Sequence, residues 1–141
     1  MEVLAEQEAV GALIPQKFPF VMVDKLFAFS ETHIESGLLI SENNIFTVDG
    51  TFRESGLVEH MAQSVALHTG YKFFLRQENA PTGYIGSVSS LSISGLPKTG
   101  DEIRTSVEII QEFGDITMVE ISTTLNGSEI AKGQMKTVLA R

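Results

Sequence analysis

Val58, Met61, Ala62, Val65, Ala66, Gly70, Phe73 and Phe74 recur at three- and four-residue steps. That spacing predicts a long helix over residues 55–77. Ser55 stands where an N-cap belongs, and Glu54 suits the positive helix end. Lys72 and Arg76 suit the negative end. A helix this apolar is expected to be well buried.

The remaining chain alternates with period two. Ile103, Thr105, Val107 and Ile109 are separated by Arg104, Ser106 and Glu108, and Thr117, Val119, Ile121, Thr123 and Leu125 repeat the pattern. Such alternation marks half-buried strands. Residues 84–94 and 129–140 read as two more strands, and Asn126-Gly127 is a two-residue hairpin signal. Before the helix, residues 20–29 and 32–40 read as a hairpin turning at Ser30-Glu31. A short helix is expected over residues 4–13, and an irregular loop over 43–52. One segregated helix among runs of strands implies α+β with an antiparallel sheet.

Composition changes this picture little. The 141 residues, 43% hydrophobic and 20% charged, suit one domain, here 1–141, with a packed core. A net charge of -8 with scattered Lys and Arg argues against nucleic acid or an anionic membrane surface. The acidic start is unlike a secretory signal, and no apolar run reaches membrane-spanning length, so a soluble cytoplasmic protein without membrane insertion is expected. Cysteine is absent, which removes disulfides, thiolate metal sites and a cysteine nucleophile. His60 and His68 lie two turns apart, and no metal is expected. No nucleotide or phosphate fingerprint is present, and no cofactor is expected.

Three stretches carry a family signal. Ile14-Pro15-Gln16-Lys17-Phe18-Pro19-Phe20-Val21-Met22-Val23-Asp24 is similar to a signature of leucine-proline-histidine, proline-phenylalanine and aliphatic-aspartate. Glu59-His60-Met61-Ala62-Gln63 is similar to glutamate-x-x-alanine-glutamine on a central helix. Lys98-Thr99-Gly100-Asp101 resembles a glycine-aspartate turn between late strands. Together they resemble the 3-hydroxyacyl-[acyl-carrier-protein] dehydratases, and the short approach to the helix looks like the branch associated with aryl polyene pigment clusters. The resemblance implies a hotdog fold, an antiparallel sheet wrapped around one long helix. It also implies dimers, with sheets paired edge to edge and sites shared between protomers.

In that family a histidine and a glutamate work as a pair across the dimer interface. Here Asn44 to Phe52 resembles the loop that carries the histidine, but Thr51 occupies its position. A hydroxyl has no useful proton affinity near neutral pH. Thr51 is left to position water or donate a hydrogen bond, or to serve as a turn residue before an anchoring Phe52. Glu59 is the candidate catalytic carboxyl. Burial would raise its pKa and the helix N-terminus would lower it. Gln63, one turn on, could orient that carboxyl. Gly56 either lets the backbone approach a thioester oxygen or allows close packing of the helix start. Thr51, Phe52, Gly56 and Gln63 form the expected substrate-binding set. His60, Ser64 and His68 make a polar stripe at four-residue steps, read as a face toward a dimer partner or solvent, with a relocated base at His60 as the alternative.

Three functions compete. The first is dehydration of 3-hydroxyacyl thioesters, carried on acyl carrier protein or coenzyme A, to enoyl thioesters. The second is a hotdog acyl thioesterase using the helix glutamate. The third is a non-catalytic partner subunit of an active dehydratase. A homodimer, or a heterodimer with a dehydratase paralogue, is expected in each. Lys17, Lys25, Lys72 and Arg76 are candidates for meeting an acidic carrier protein.

Overall fold

A computed structural model describes residues 3–140. In chain order the elements are β1 (Ala5–Glu6), α1 (Gln7–Gly11), β2 (Lys25–Ser30), β3 (His33–Leu39), β4 (Thr47–Val48), β5 (Thr51–Phe52), α2 (Glu54–Leu75), β6 (Gly83–Ile93), β7 (Glu102–Phe113), β8 (Ile116–Leu125) and β9 (Ser128–Leu139). Seven strands form one antiparallel sheet in the order β1-β2-β3-β7-β8-β9-β6. The sheet wraps α2, so the expected hotdog arrangement is the observed one.

The alternating strands place their apolar positions toward the helix. Ile34 and Leu38 of β3, Ile103 and Val107 of β7, Val119 and Ile121 of β8, and Ala131 and Met135 of β9 are all buried. Leu57, Met61 and Leu67 of α2 meet them in the core. Asn126 and Gly127 both have positive φ, 51° and 83°, as a hairpin turn matched to strand twist requires. β6 follows α2 in sequence but crosses to the far edge, beside β9. Nearly all of it is exposed.

Several expectations need correction at the N-terminal side. Residues 4–13 hold a two-residue strand and a five-residue helix rather than one helix. The strand begins only at Lys25, as β2 (Lys25–Ser30), because the stretch before it is held by side chains of α2 instead. Residues 43–52 are not an irregular loop: β4 and β5 pair across Asp49 and Gly50, whose φ values of 51° and 78° make a tight turn. The N-cap of α2 is Arg53, with no side-chain cap, and Ser55 lies inside the first turn. Among the described residues no helix is long and apolar enough to cross a membrane.

Candidate active site

A cleft of about 480 Å³ runs beside α2. One wall is residues 12–16, and the other is the start of β6 with Thr137 and Leu139 of β9. The floor is a helix stripe of Glu59, Ala62, Ala66 and Thr69. Steps of three and four residues put these on one side of the helix. Two alanines there leave room that larger side chains would fill.

Glu59 stands at the N-terminal end of this stripe, half-buried. Among the described residues its carboxyl has no hydrogen-bond or ion-pair partner. The carboxyl is therefore free to act on a molecule in the cleft. The amides of residues 54–56 precede the first helical bond, from Leu57 N–H to the Arg53 carbonyl 3.0 Å away. Such first-turn amides have no carbonyl one turn behind them and favour negative charge.

The stripe on the opposite side of α2 faces the sheet. His60 is 0% exposed and His68 4%. The Nδ1–H of His60 donates to the Met22 carbonyl at 2.6 Å. Nε2 is then an acceptor, and the Thr105 hydroxyl donates to it at 2.7 Å. Thr123 in turn donates to Thr105 Oγ1 at 2.6 Å. Ser64 donates to the His60 carbonyl and accepts from Ser36. The ring is neutral, because burial lowers its pKa to about 4, against a smaller upward pull from the Met22 carbonyl. His68 is also lowered, first by burial; it bonds the Ser30 carbonyl and stacks on Phe29. The polar stripe thus meets neither solvent nor a partner, and His60 is not a relocated base. Both its nitrogens are committed inside the core.

Gln63 is likewise fully buried. Its Oε1 accepts from the Met22 amide at 2.6 Å, and its Nε2 donates to the Phe20 carbonyl at 2.8 Å. It does not orient Glu59. His60 and Gln63 together grip both polar groups of Met22 and so fasten residues 20–22 to the helix.

The other expected residues lie away from the cleft. Phe52 is 0% exposed and belongs to the core. A Cβ on Gly56 would stand 2.5 Å from Phe46 Cβ and 2.7 Å from Phe52 Cζ, so the glycine serves close packing of the helix start. Thr51 is half-buried in β5, bridged to Lys98. Of the five expected residues Glu59 lines the cleft; Thr51, Phe52, Gly56 and Gln63 do not. Gln16, which does line it, was passed over. Its signal was present: it follows Ile14-Pro15 where the signature has histidine.

The candidate carrier-facing cations are each occupied locally. Lys17 donates to the Gly11 and Ile14 carbonyls. Lys25 pairs with Glu102 at 2.7 Å and Lys72 with Glu31 at 3.8 Å. Arg76 lies over the Phe73 ring. No group of three or more metal-ligating side chains gathers among the described residues.

Comparison with known proteins adds the following. Residues 8–140 match the family model described as ApeP-like, ApeP dehydratase. An uncharacterized thioester dehydrase of Halalkalibacterium halodurans is 26% identical over 133 residues, 89% of this chain and 83% of that protein. A 3-hydroxyacyl-[acyl-carrier-protein] dehydratase FabZ of Clostridium botulinum is 22% identical over the full length of both. Among solved structures, the dehydratase heterocomplex ApeI:P of Xenorhabdus doucetiae superposes with a TM-score of 0.88 at 17% identity, covering 94% of this chain and 91% of that one. A hypothetical thioesterase of Streptococcus pneumoniae with coenzyme A gives 0.65 at 12% identity, covering 82% and 84%. Both structural matches share the hotdog fold.

Proposed function

The chain belongs to the ApeP-like dehydratase family, and from that membership we propose that it is a 3-hydroxyacyl-[acyl-carrier-protein] dehydratase-like hydro-lyase with Glu59 as its acid. The observation that carries the role of Glu59 is its free carboxyl at the head of an alanine-floored cleft. In the reaction a base takes the proton from C2, and that electron pair becomes the C2–C3 double bond. The C3–O bond breaks, and the leaving hydroxyl takes a proton from Glu59 to depart as water. The step is redox-neutral.

The base is the missing half. Thr51 has no proton affinity to offer, and His60 is sealed in the core. In the family the histidine comes from across the dimer interface. We therefore assign the base to a partner protomer, a histidine-bearing relative, while this chain supplies Glu59. The free β6 edge, with Ile85, Val88 and Leu91 exposed, is the surface on which two sheets would join. A solved neighbour is itself described as a dehydratase heterocomplex, in keeping with this pairing.

The test is an assay of the purified chain, alone and mixed with a histidine-bearing relative, on 3-hydroxyacyl thioesters of carrier protein and coenzyme A. Enoyl product and free thiol are followed together. Enoyl product is expected in the mixture, and Glu59→Gln in this chain should lower its rate by about 10²–10⁴-fold. Thiol release dependent on Glu59 would replace the dehydratase with a thioesterase. Neither product would leave a non-catalytic partner subunit.

A further inference from the structure

The cleft holds a second polar side chain whose hydrogen bonding is incomplete. Gln16 sits in the wall formed by residues 12–16, on the same cleft as Glu59. Its Oε1 is enclosed and has no hydrogen-bond partner. An enclosed acceptor left unmatched is unfavourable, so the amide gains by turning Oε1 to a ligand in the cleft that brings a donor. Gln63, by contrast, has both ends of its amide occupied by backbone. The neighbouring wall residues Leu13, Ile14 and Pro15 offer no side-chain donor.

We propose that Gln16 reads the 3-hydroxyl of the substrate and positions it for Glu59. This rests on the dehydratase reading above and adds a specificity determinant to it. The hydroxyl donates its hydrogen to Gln16 Oε1. Its oxygen lone pairs are then left to receive the proton from Glu59, the requirement for loss as water. The last torsion of a glutamine side chain is soft, so either end of the amide turns toward the cleft at small cost. A saturated acyl thioester of equal length lacks the hydroxyl and leaves Oε1 unmatched. Gln16 is a positioning residue; it takes and gives no proton in the reaction.

The experiment measures binding rather than turnover, using the full chain with Glu59→Gln so that substrate persists. The probes are a 3-hydroxyacyl coenzyme A thioester and the saturated thioester of the same length. The hydroxylated probe is expected to bind about tenfold more tightly, the value of one hydrogen bond. Gln16→Leu should abolish that preference while leaving affinity for the saturated probe unchanged. Gln16→His, which restores an acceptor, should recover it. Equal affinities before any change at Gln16, a preference that survives Gln16→Leu, or an equal loss for both probes would each overturn the proposal. Enoyl formation is scored separately with Glu59 intact. Its absence would overturn the dehydratase reading, while the probe preference reports on Gln16 alone.

Discussion

His60 is the residue whose environment departs furthest from what its neighbours in sequence suggest. It adjoins Glu59, yet a step of about 100° around the helix carries it from the cleft side to the sheet side. There its neutral form is held by Met22 and Thr105. In the unfolded chain the ring takes a proton near its ordinary pKa of 6.5, whereas in the fold it resists until about 4. The unfolded state therefore binds the proton first as pH falls. Stability is full above pH 6.5 and is lost between 6.5 and about 4. The loss from His60 alone is roughly 3 kcal/mol, and His68, lowered for the same reason, adds to it. Asp24, whose pKa burial raises, works the other way at the acidic end. Urea unfolding midpoints taken from pH 7 to 4 should decline accordingly, and His60→Gln should flatten the decline. A flat wild-type profile would contradict a neutral buried ring.

At the scale of elements, α2 is pressed against chain on both sides, and its glycines record how closely. A Cβ on Gly70 would lie 1.8 Å from the Leu13 carbonyl oxygen. Alanine is the better helix former by about 1 kcal/mol, but the clash is with backbone, which cannot step aside as a side chain would. Gly70→Ala is therefore expected to lower the melting temperature, with a net cost of about 1–3 kcal/mol from overpacking. The same element shows what the sequence made legible. The 3.6-residue period located α2 to within two residues, and the period-two stretches located β7 and β8, because both patterns are imposed directly by burial. Glu59 could be singled out because it opens the Glu59-His60-Met61-Ala62-Gln63 motif within an apolar helical period. That Thr51, Phe52, Gly56 and Gln63 lie off the cleft was not legible, because a linear pattern says which side chains are near the helix start, not which way each one faces. Gln63 looked like a partner for Glu59 at i+4, but its side chain turns to the backbone of residues 20–22, a contact 43 positions away. Gln16 stood in the sequence at the signature's histidine position, but its unmet hydrogen bond is visible only in the fold.

For the whole molecule the telling feature is an uneven covering of the sheet. Strands β3, β7 and β8 turn buried apolar side chains toward the core that α2 fills, while β6 is exposed along nearly its whole length at the edge. A long edge strand carrying Ile85, Val88 and Leu91 invites strand pairing and is seldom left open. The dimer proposed above closes it. Sedimentation should report a dimer for this chain or for its mixture with a histidine-bearing relative, and Val88→Asp should shift it to monomers by setting a charge in the joint. A wild-type monomer in both samples would remove the shared site, and with it the assignment of the base to a partner.

The bond from the His60 ring to the Met22 carbonyl also supplies the protein with its own clock. The hydrogen on Nδ1 has no route to water while residues 20–22 rest on α2, so it is replaced by deuterium only when that stretch and the helix part. Its magnetic resonance signal, shifted far downfield by a 2.6 Å bond, stands clear of the amide envelope. The rate at which that one signal fades in heavy water times the release of this stretch from the helix, with no label attached to the chain.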